Sequence, residues 1–528
     1  MDDKKEVVIV GAGPTGLMAA CLLAQYGIQF RIFDKNLKRA EQSRALAIQA
    51  RTLEILSTMG LVNEFVARGR IIKKIEPRPY GKKIHLNFNC LENETPYPYI
   101  LILAQSETEE ILEKKLNSYG IHVEREHELI GVVQNHDTVS VKIKNLKNNV
   151  DEVIVASYVL GADGAHSVIR NSLNLNFVGE PYPQHFWLAD LSLDDTIPDD
   201  CLSVYVKSEG VLAFLPMHTS RTFRLVGQLK TSDRQAPSLS QISDIVTQMT
   251  GKKIHCSHPT WVTTFNLHHR LVDKMQVGRL FLLGDSAHIH SPVGGQGMNT
   301  GMQDAYNLCW KLNLVLKKKI RPAILESYQL ERHPVGAYLL GKSDKMFQMV
   351  TSEAPFKKLC RRLFFTALWR ILKIYPSAAD NLIWFVSQLK IKYKKGDVFD
   401  VSAFHHPTAG ERAPWFLLDV VGSNEKLDLF SLLDNKQHHV LIFSKMLKNE
   451  DYKAIMAMGK HEQVKIHIFA KDSFPGVVVP KSDTPFHVYN VKEAAIVFVR
   501  PDGYIAIRYE SLAIKEFSEF LEAYFKVA

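Results

Sequence analysis

Hydrophobic positions change their period along this chain, and the changes divide it into elements. Residues 7–10 are an unbroken apolar run, as in a parallel strand covered on both faces. Gly11, Gly13 and Gly16 follow in GxGxxG spacing, and the pattern turns helical from about residue 14 to 26. A second apolar run, 30–33, ends in Asp34, which predicts a βαβ unit. Residues 47–59 carry helical spacing free of glycine and proline, so a helix is expected there. Prolines and alternating residues over 76–99 predict strands and turns. Gln105 opens a further helical stretch in which Ser106 and Glu109 fit a capping box.

A meander of strands is expected over 121–160 and a large sheet over 178–267. From 300 to about 394 the spacing is helical. Beyond about 409 the runs HHVLIFS, VKIHIFA and AAIVFVR alternate with helical stretches, and an amphipathic segment closes the chain, as in a separate α/β domain.

Length then matters, because 528 residues exceed what one core supports. The expected division is a discontinuous nucleotide-binding domain (1–75, 100–177 and 268–395), a substrate-binding sheet domain (76–99 and 178–267) and a C-terminal domain (400–528). No apolar run reaches the roughly 18 residues of a membrane span, and the charged N-terminus enters a strand rather than a secretory leader. The six cysteines are scattered without a CxxC pair, which suits reduced thiols in the cytoplasm and no metal site. A net charge of +9 raises nucleic acid, but the basic residues are dispersed and no nucleic-acid motif accompanies them. The densest basic stretch, 357–395, mixes cations and apolar residues at helical spacing; it reads as a helix pair with a solvated basic face, or as a surface for membranes or anionic ligands.

Candidate chemistry sits at three turns. At Gly11–Gly16 the glycines allow a tight turn and close approach of a pyrophosphate, which the helix N-terminus attracts, while Asp34 can accept from a ribose. A second turn, GADGAHSVIR, carries Asp163, Ser167 and Arg170. The third, GDSAHIHSPVGGQGMNTG, follows a buried strand and runs into a long helix.

Gly11, Gly13, Pro14, Thr15 and Gly16, then Asp163-Gly164 with Ser167 and Arg170, then Gly284-Asp285 with His288, Pro292, Gly294, Gly295, Gly297 and Asn299, resemble in order and spacing the single-component flavin-dependent aromatic hydroxylases. The resemblance covers essentially the whole chain. It is nearest the branch of phenol hydroxylase and the polyketide hydroxylases, which carry a C-terminal thioredoxin-like domain. It implies an α/β fold, a Rossmann-like FAD-binding domain interleaved with a β-sheet substrate domain. It also implies non-covalent FAD, with NADPH or NADH and O2 as co-substrates. A C4a-hydroperoxyflavin would hydroxylate an aromatic, phenolic or polyketide-like ring.

By the same resemblance, Arg44 lies along the pyrophosphate, and Asp34 and Lys35 border the adenosine end. Gln105 and Asp285 reach the ribityl side, and Pro292, Gly295, Gly297, Met298 and Asn299 shape the loop under the flavin ring. Asp163 serves both FAD and a transiently bound nicotinamide, whose phosphate Arg170 could meet. The family mostly has Glu where this chain has Asp34. The flavin carries the chemistry, so no catalytic side chain is assigned; His288 and Pro292 are weak candidates. Without CxxC the C-terminal domain is expected to cover the body or support a homodimer. An isoprenoid epoxidase, an antibiotic-inactivating hydroxylase and a non-catalytic FAD-binding module are the alternatives.

Overall fold

The computed structural model describes residues 5–39, 45–194, 197–229, 235–291, 294–352, 354–393, 407–458 and 461–526. Arg44 and Pro292 lie outside the described residues.

Strand Lys5–Val10 is central in an eight-stranded sheet. It pairs in parallel with Phe30–Asp34 on one side and Val150–Gly161 on the other, and Leu280–Leu282 continues the parallel set. Register aligns the strand ends. Val10 is opposite both Phe33 and Gly161, and Gly161 is opposite Leu282. The turns after Val10, Gly161 and Leu282 therefore leave the same edge side by side. That edge, at the carboxyl ends of parallel strands, is where α/β sheets bind ligands.

A second eight-stranded sheet contains Phe177–Leu193, Cys256–Val272, Thr222–Gln228, Gly210–Pro216, Leu202–Lys207 and Lys74–Pro79. Alternation gives it two apolar faces. Trp187, Leu191, Leu212, Phe214 and Phe223 point toward Ile242, Val246 and Met249 of helix Leu239–Thr250. This helix interrupts the stretch expected to be a sheet; Ser238 and Gln241 form the capping box that starts it. The opposite face presents Phe186, Leu188, Phe265 and Leu267 to Phe347. Pairing of Arg270 with Ile289 joins this sheet to the third turn.

Two helix expectations need correction. The helix expected over 47–59 runs Ala50–Thr58, because Ala47–Ile48 forms a strand against Ile100–Ile102 in a three-stranded sheet. Helix Gln105–Asn117 has Ala104 at its N-cap with no side-chain bond, so Ser106 does not cap it. The Gln105 amide instead donates to Ala45 O, and its side chain donates to Glu109 at 2.9 Å.

The C-terminal sheet, in the order Val477–Val478, Val464–Ala470, His438–Ser444, Ala494–Val499, Ile505–Tyr509, is packed on both faces. Its last hairpin is held to the body by buried charges. Arg500 donates to both oxygens of Glu331 at 2.7 and 2.9 Å and pairs with Asp502; Lys311 reaches Glu331 at 3.0 Å. Arg51 donates to Asp502 O at 2.6 Å, and Arg412 bridges to Glu54 at 3.2 Å.

Burial opposes ionisation of Glu331, but Arg500 and Lys311 outweigh it and hold its carboxyl below the ordinary value. A depressed folded-state pKa contributes stability above the ordinary Glu value and loses it as pH falls toward the folded value. Urea midpoints should therefore decline below about pH 4.3. Glu331→Gln should flatten that decline and lower stability at neutral pH by about 3–5 kcal/mol, the usual loss on breaking a buried pair. An unchanged acid limb would refute the assignment.

Candidate active site

The first turn is built by close contacts. Gly11 has φ +97°, and a Cβ there would stand 2.3 Å from Ala162 O. At Gly16 a Cβ would meet Gly11 O at 1.9 Å. These two glycines bring the first turn against the second and the helix against its own strand. Gly13 is different: a Cβ there meets nothing within 4 Å, and the same holds for Gly164 in the neighbouring turn. Gly13 caps helix Pro14–Gln25, with Pro14 at its first position, where no amide is lost. Asp34 accepts from Ala12 N at 2.8 Å and from Asn36 N at 2.9 Å. Its shorter side chain thus ties the glycine turn to the strand end, with Lys35 exposed beside it.

In the second turn, Asp163 Oδ2 accepts from Val168 N at 2.8 Å and Ile169 N at 3.3 Å. Oδ1 is buried with no hydrogen-bond partner, and burial raises the pKa against the pull of those amides. Arg170 corrects an expectation. It is buried, donates to Ala165 O at 2.8 Å and Ser286 O at 3.0 Å, and lies over the Phe177 ring at 3.9 Å. It joins the second turn to the third from inside and does not reach a surface where a nicotinamide phosphate could meet it.

The third turn wraps around Thr15. A Cβ on Gly284 (φ +60°) would meet Thr15 Oγ1 at 2.7 Å, and one on Gly301 would meet it at 2.3 Å. The first helix and helix Gly297–Leu316 therefore begin beside the same side chain. Asp285, next to Gly284, is exposed, yet surrounding protein still raises its carboxyl pKa, with His288 opposing.

Downstream, Gly294 and Gly295 have φ of +81° and +62°. Asn299 accepts from Gln49 N at 2.9 Å and donates to Ala47 O and Gly295 O, both at 2.8 Å. Gln49 donates to Gly294 O at 2.7 Å. The Asn299 side chain is thus committed to holding the glycine loop against strand Ala47–Ile48. What the helix start offers a ligand is backbone: the N–H groups of Gly297, Met298 and Asn299 precede the first intrahelical bonds.

Below the loop lies a buried polar chain. His288 Nε2 donates to Asp304 Oδ2 at 2.7 Å, since a carboxylate only accepts. His288 Nδ1 and His290 Nε2 share a hydrogen bond at 3.0 Å, its direction set by the tautomers. Arg332 donates to Asp304 Oδ1 at 2.7 Å and to Thr300 O at 3.2 Å. Burial opposes ionisation of Asp304, but His288 and Arg332 hold its carboxyl below the ordinary value. Burial drives the His290 pKa well down, and its Nδ1 is buried without a partner. Sequence reasoning missed Gln49, Asp304 and Arg332. Asp304 and Lys311, the two charged residues of helix Gly297–Leu316, were the available signal, because buried charges require partners.

These features fit FAD: adjoining glycine turns open where side chains would stand, an unpaired Asp163 oxygen, the exposed Asp285 carboxylate, and two helix N-termini at one turn. The chain belongs to the FAD binding domain family, which matches residues 4–343, and it is a flavin-dependent monooxygenase. It is 30% identical over 516 residues to 6-methylpretetramide 4-monooxygenase of Streptomyces rimosus, covering 96% of this chain and 91% of that one. Pentachlorophenol 4-monooxygenase of Sphingobium chlorophenolicum is 28% identical, over 83% of this chain and 79% of the relative. Among solved structures, CabE, an aromatic hydroxylase from angucycline biosynthesis, superimposes with a TM-score of 0.77 at 26% identity, over 99% of each chain.

The two unequal glycines give a direct test. Gly13→Ala should cost the FAD-free protein only about 0.5–1 kcal/mol, the usual loss for Ala at an N-cap, because its Cβ meets nothing, yet weaken FAD binding by about tenfold or more. Gly16→Ala should destabilise the FAD-free protein itself, because its Cβ lands on Gly11 O. Calorimetry and flavin fluorescence titration separate the two; equal melting for both variants would contradict the geometry.

Proposed function

We propose that this protein hydroxylates a phenolic ring of a fused-ring, polyketide-like substrate with FAD, NAD(P)H and O2. The observation that carries the reading is the parallel register that sets the turns at Gly11, Asp163 and Gly284–Asp285 along one edge, above a glycine loop that starts a helix. Bound FAD supplies hydride acceptance and oxygen activation. The chain's residues bind, orient and shield it. Amides of the first turn and the N-terminus of helix Pro14–Gln25 take the pyrophosphate. Asp285 takes hydroxyls of the ribityl chain, and Asp163 Oδ1 adds an acceptor at the same edge. The N–H groups from Gly297 to Asn299 and the dipole of their helix stabilise negative charge on the reduced ring.

The neighbouring sheet packs Phe186, Leu188, Phe265 and Phe347 into a closed aromatic core, so the phenolic, fused-ring class is read from the relatives. The names of the relatives, tetracycline-type and phenolic monooxygenases, support the same class. No second strand–GxGxxG–helix unit occurs in the sequence, so the nicotinamide is read as docking transiently. A cytoplasmic location fits the free cysteines, and a homodimer belongs to the same reading. Among the described residues no helix is long and apolar enough to cross a membrane.

The test is anaerobic mixing with NADH or NADPH, then aeration with a panel of phenols and fused-ring phenolics. Bleaching of the flavin and a product heavier by one oxygen are expected; a flavin that stays oxidised would refute the reading. Asp285→Asn should remove charge-assisted bonds of roughly 1.5–3 kcal/mol, so FAD affinity should fall about tenfold or more with the fold intact. Unchanged FAD retention on dialysis would show that Asp285 has another role.

A further inference from the structure

Helix Pro355–Ile374, PFKKLCRRLFFTALWRILKI, contains six cations and neither Asp nor Glu. Its inner face is accounted for. Phe365 is buried, Trp369 and Leu372 pack with Phe88, Ile100 and Leu215, and Arg361 donates to Ser352 O, Lys207 O and Tyr80 Oη. The outer face carries Phe356 (75% exposed), Leu359 (56%), Leu363 (62%), Phe364 (46%) and Ile371 (49%), continued by Ile374 (69%) and Tyr375 (65%). Steps of three and four residues put these on one stripe, so the helix is apolar toward solvent as well as toward the core. Lys357, Arg362 and Lys373 flank the stripe and Arg370 lies within it; all four are exposed, and none meets a carboxylate among the described residues. Lys82 of the neighbouring strand region donates to Thr366 and adds another cation.

The charge pattern selects the occupant. A second copy of this face would bring four exposed cations against four without an acid of this helix between them, which opposes pairing. A surface that is apolar in depth and anionic at its boundary satisfies both halves. A helix with a continuous apolar stripe, basic flanks and aromatic residues has the build of an interfacial helix that lies in the headgroup plane. We propose that helix Pro355–Ile374 docks this protein on an anionic lipid bilayer, with Phe356, Leu359, Leu363 and Ile371 in the acyl boundary and the flanking cations at lipid phosphates.

The experiment is flotation of the full-length, FAD-loaded protein with vesicles of phosphatidylcholine alone or mixed with phosphatidylserine. Wild type should float with the anionic vesicles, less so as salt rises, and stay behind with the neutral ones. Phe356→Ser/Leu363→Ser and Lys357→Glu/Arg362→Glu/Arg370→Glu should each weaken anionic-vesicle binding by about tenfold or more, given one favourable contact per basic residue near such a surface. Both should keep the flavin spectrum and melting temperature of the wild type. The proposal is overturned if wild type floats with neither vesicle, or if the serine variant floats as well as wild type. It is also overturned if light scattering shows a lipid-free dimer that the serine variant splits, because the face would then be a self-association surface.

Discussion

Asp304 is the point on which the site's geometry rests. It is fully buried, and three separate elements converge on its two oxygens: the Gly284 amide of the third turn at 3.1 Å, His288 at 2.7 Å and Arg332 at 2.7 Å. A buried carboxylate is tolerated only when its desolvation is offset by partners of good geometry. Satisfying Asp304 therefore fixes where helix Gly297–Leu316 stands relative to the Gly284–Asp285 turn. It also orients His288, which in turn is hydrogen-bonded to His290. The direction of the helix start, and with it the amides offered at the glycine loop, is set by a charge one turn deeper.

The same helix is anchored again farther along. Asn307 and Lys311 meet Glu331, and Arg500 of the C-terminal sheet completes that cluster. The C-terminal unit is thus joined to the flavin helix through groups that cannot be left bare in a low-dielectric interior. It acts as a structural complement to the nucleotide-binding body. Tyr306 on the same helix reinforces this by donating to Pro501 O at 3.2 Å.

Much of this architecture is legible in the sequence. Apolar runs and their period locate the strands Lys5–Val10, Phe30–Asp34 and Leu280–Leu282, and the glycine spacing locates the turns. Local chemistry of that kind is written in adjacent residues. What is not legible depends on partners far away in the chain. Asn299 is committed to Ala47 and Gln49, some 250 positions earlier, and Arg170 reaches Ser286 across 116. The helix expected from residue 47 begins at 50 because strand pairing with Leu101 and Ile102 overrides spacing. Ser106 does not cap its helix because the helix already starts at Gln105, with Ala104 at the N-cap, which puts Ser106 inside the first turn.

Thr15 stands between Gly284 and Gly301, two positions where any side chain would collide with its hydroxyl. The three residues come from distant parts of the chain but occupy one small volume. A side chain at Gly301 needs Thr15 to shrink or turn aside, Gly284 is held in addition by its φ of +60°, and shrinking Thr15 alone leaves a gap between two helix starts. Drift at these sites is therefore coupled, because what is tolerated at one depends on what stands at the others. This kind of epistasis can keep a triad unchanged over long divergence even where none of its members takes part in a reaction.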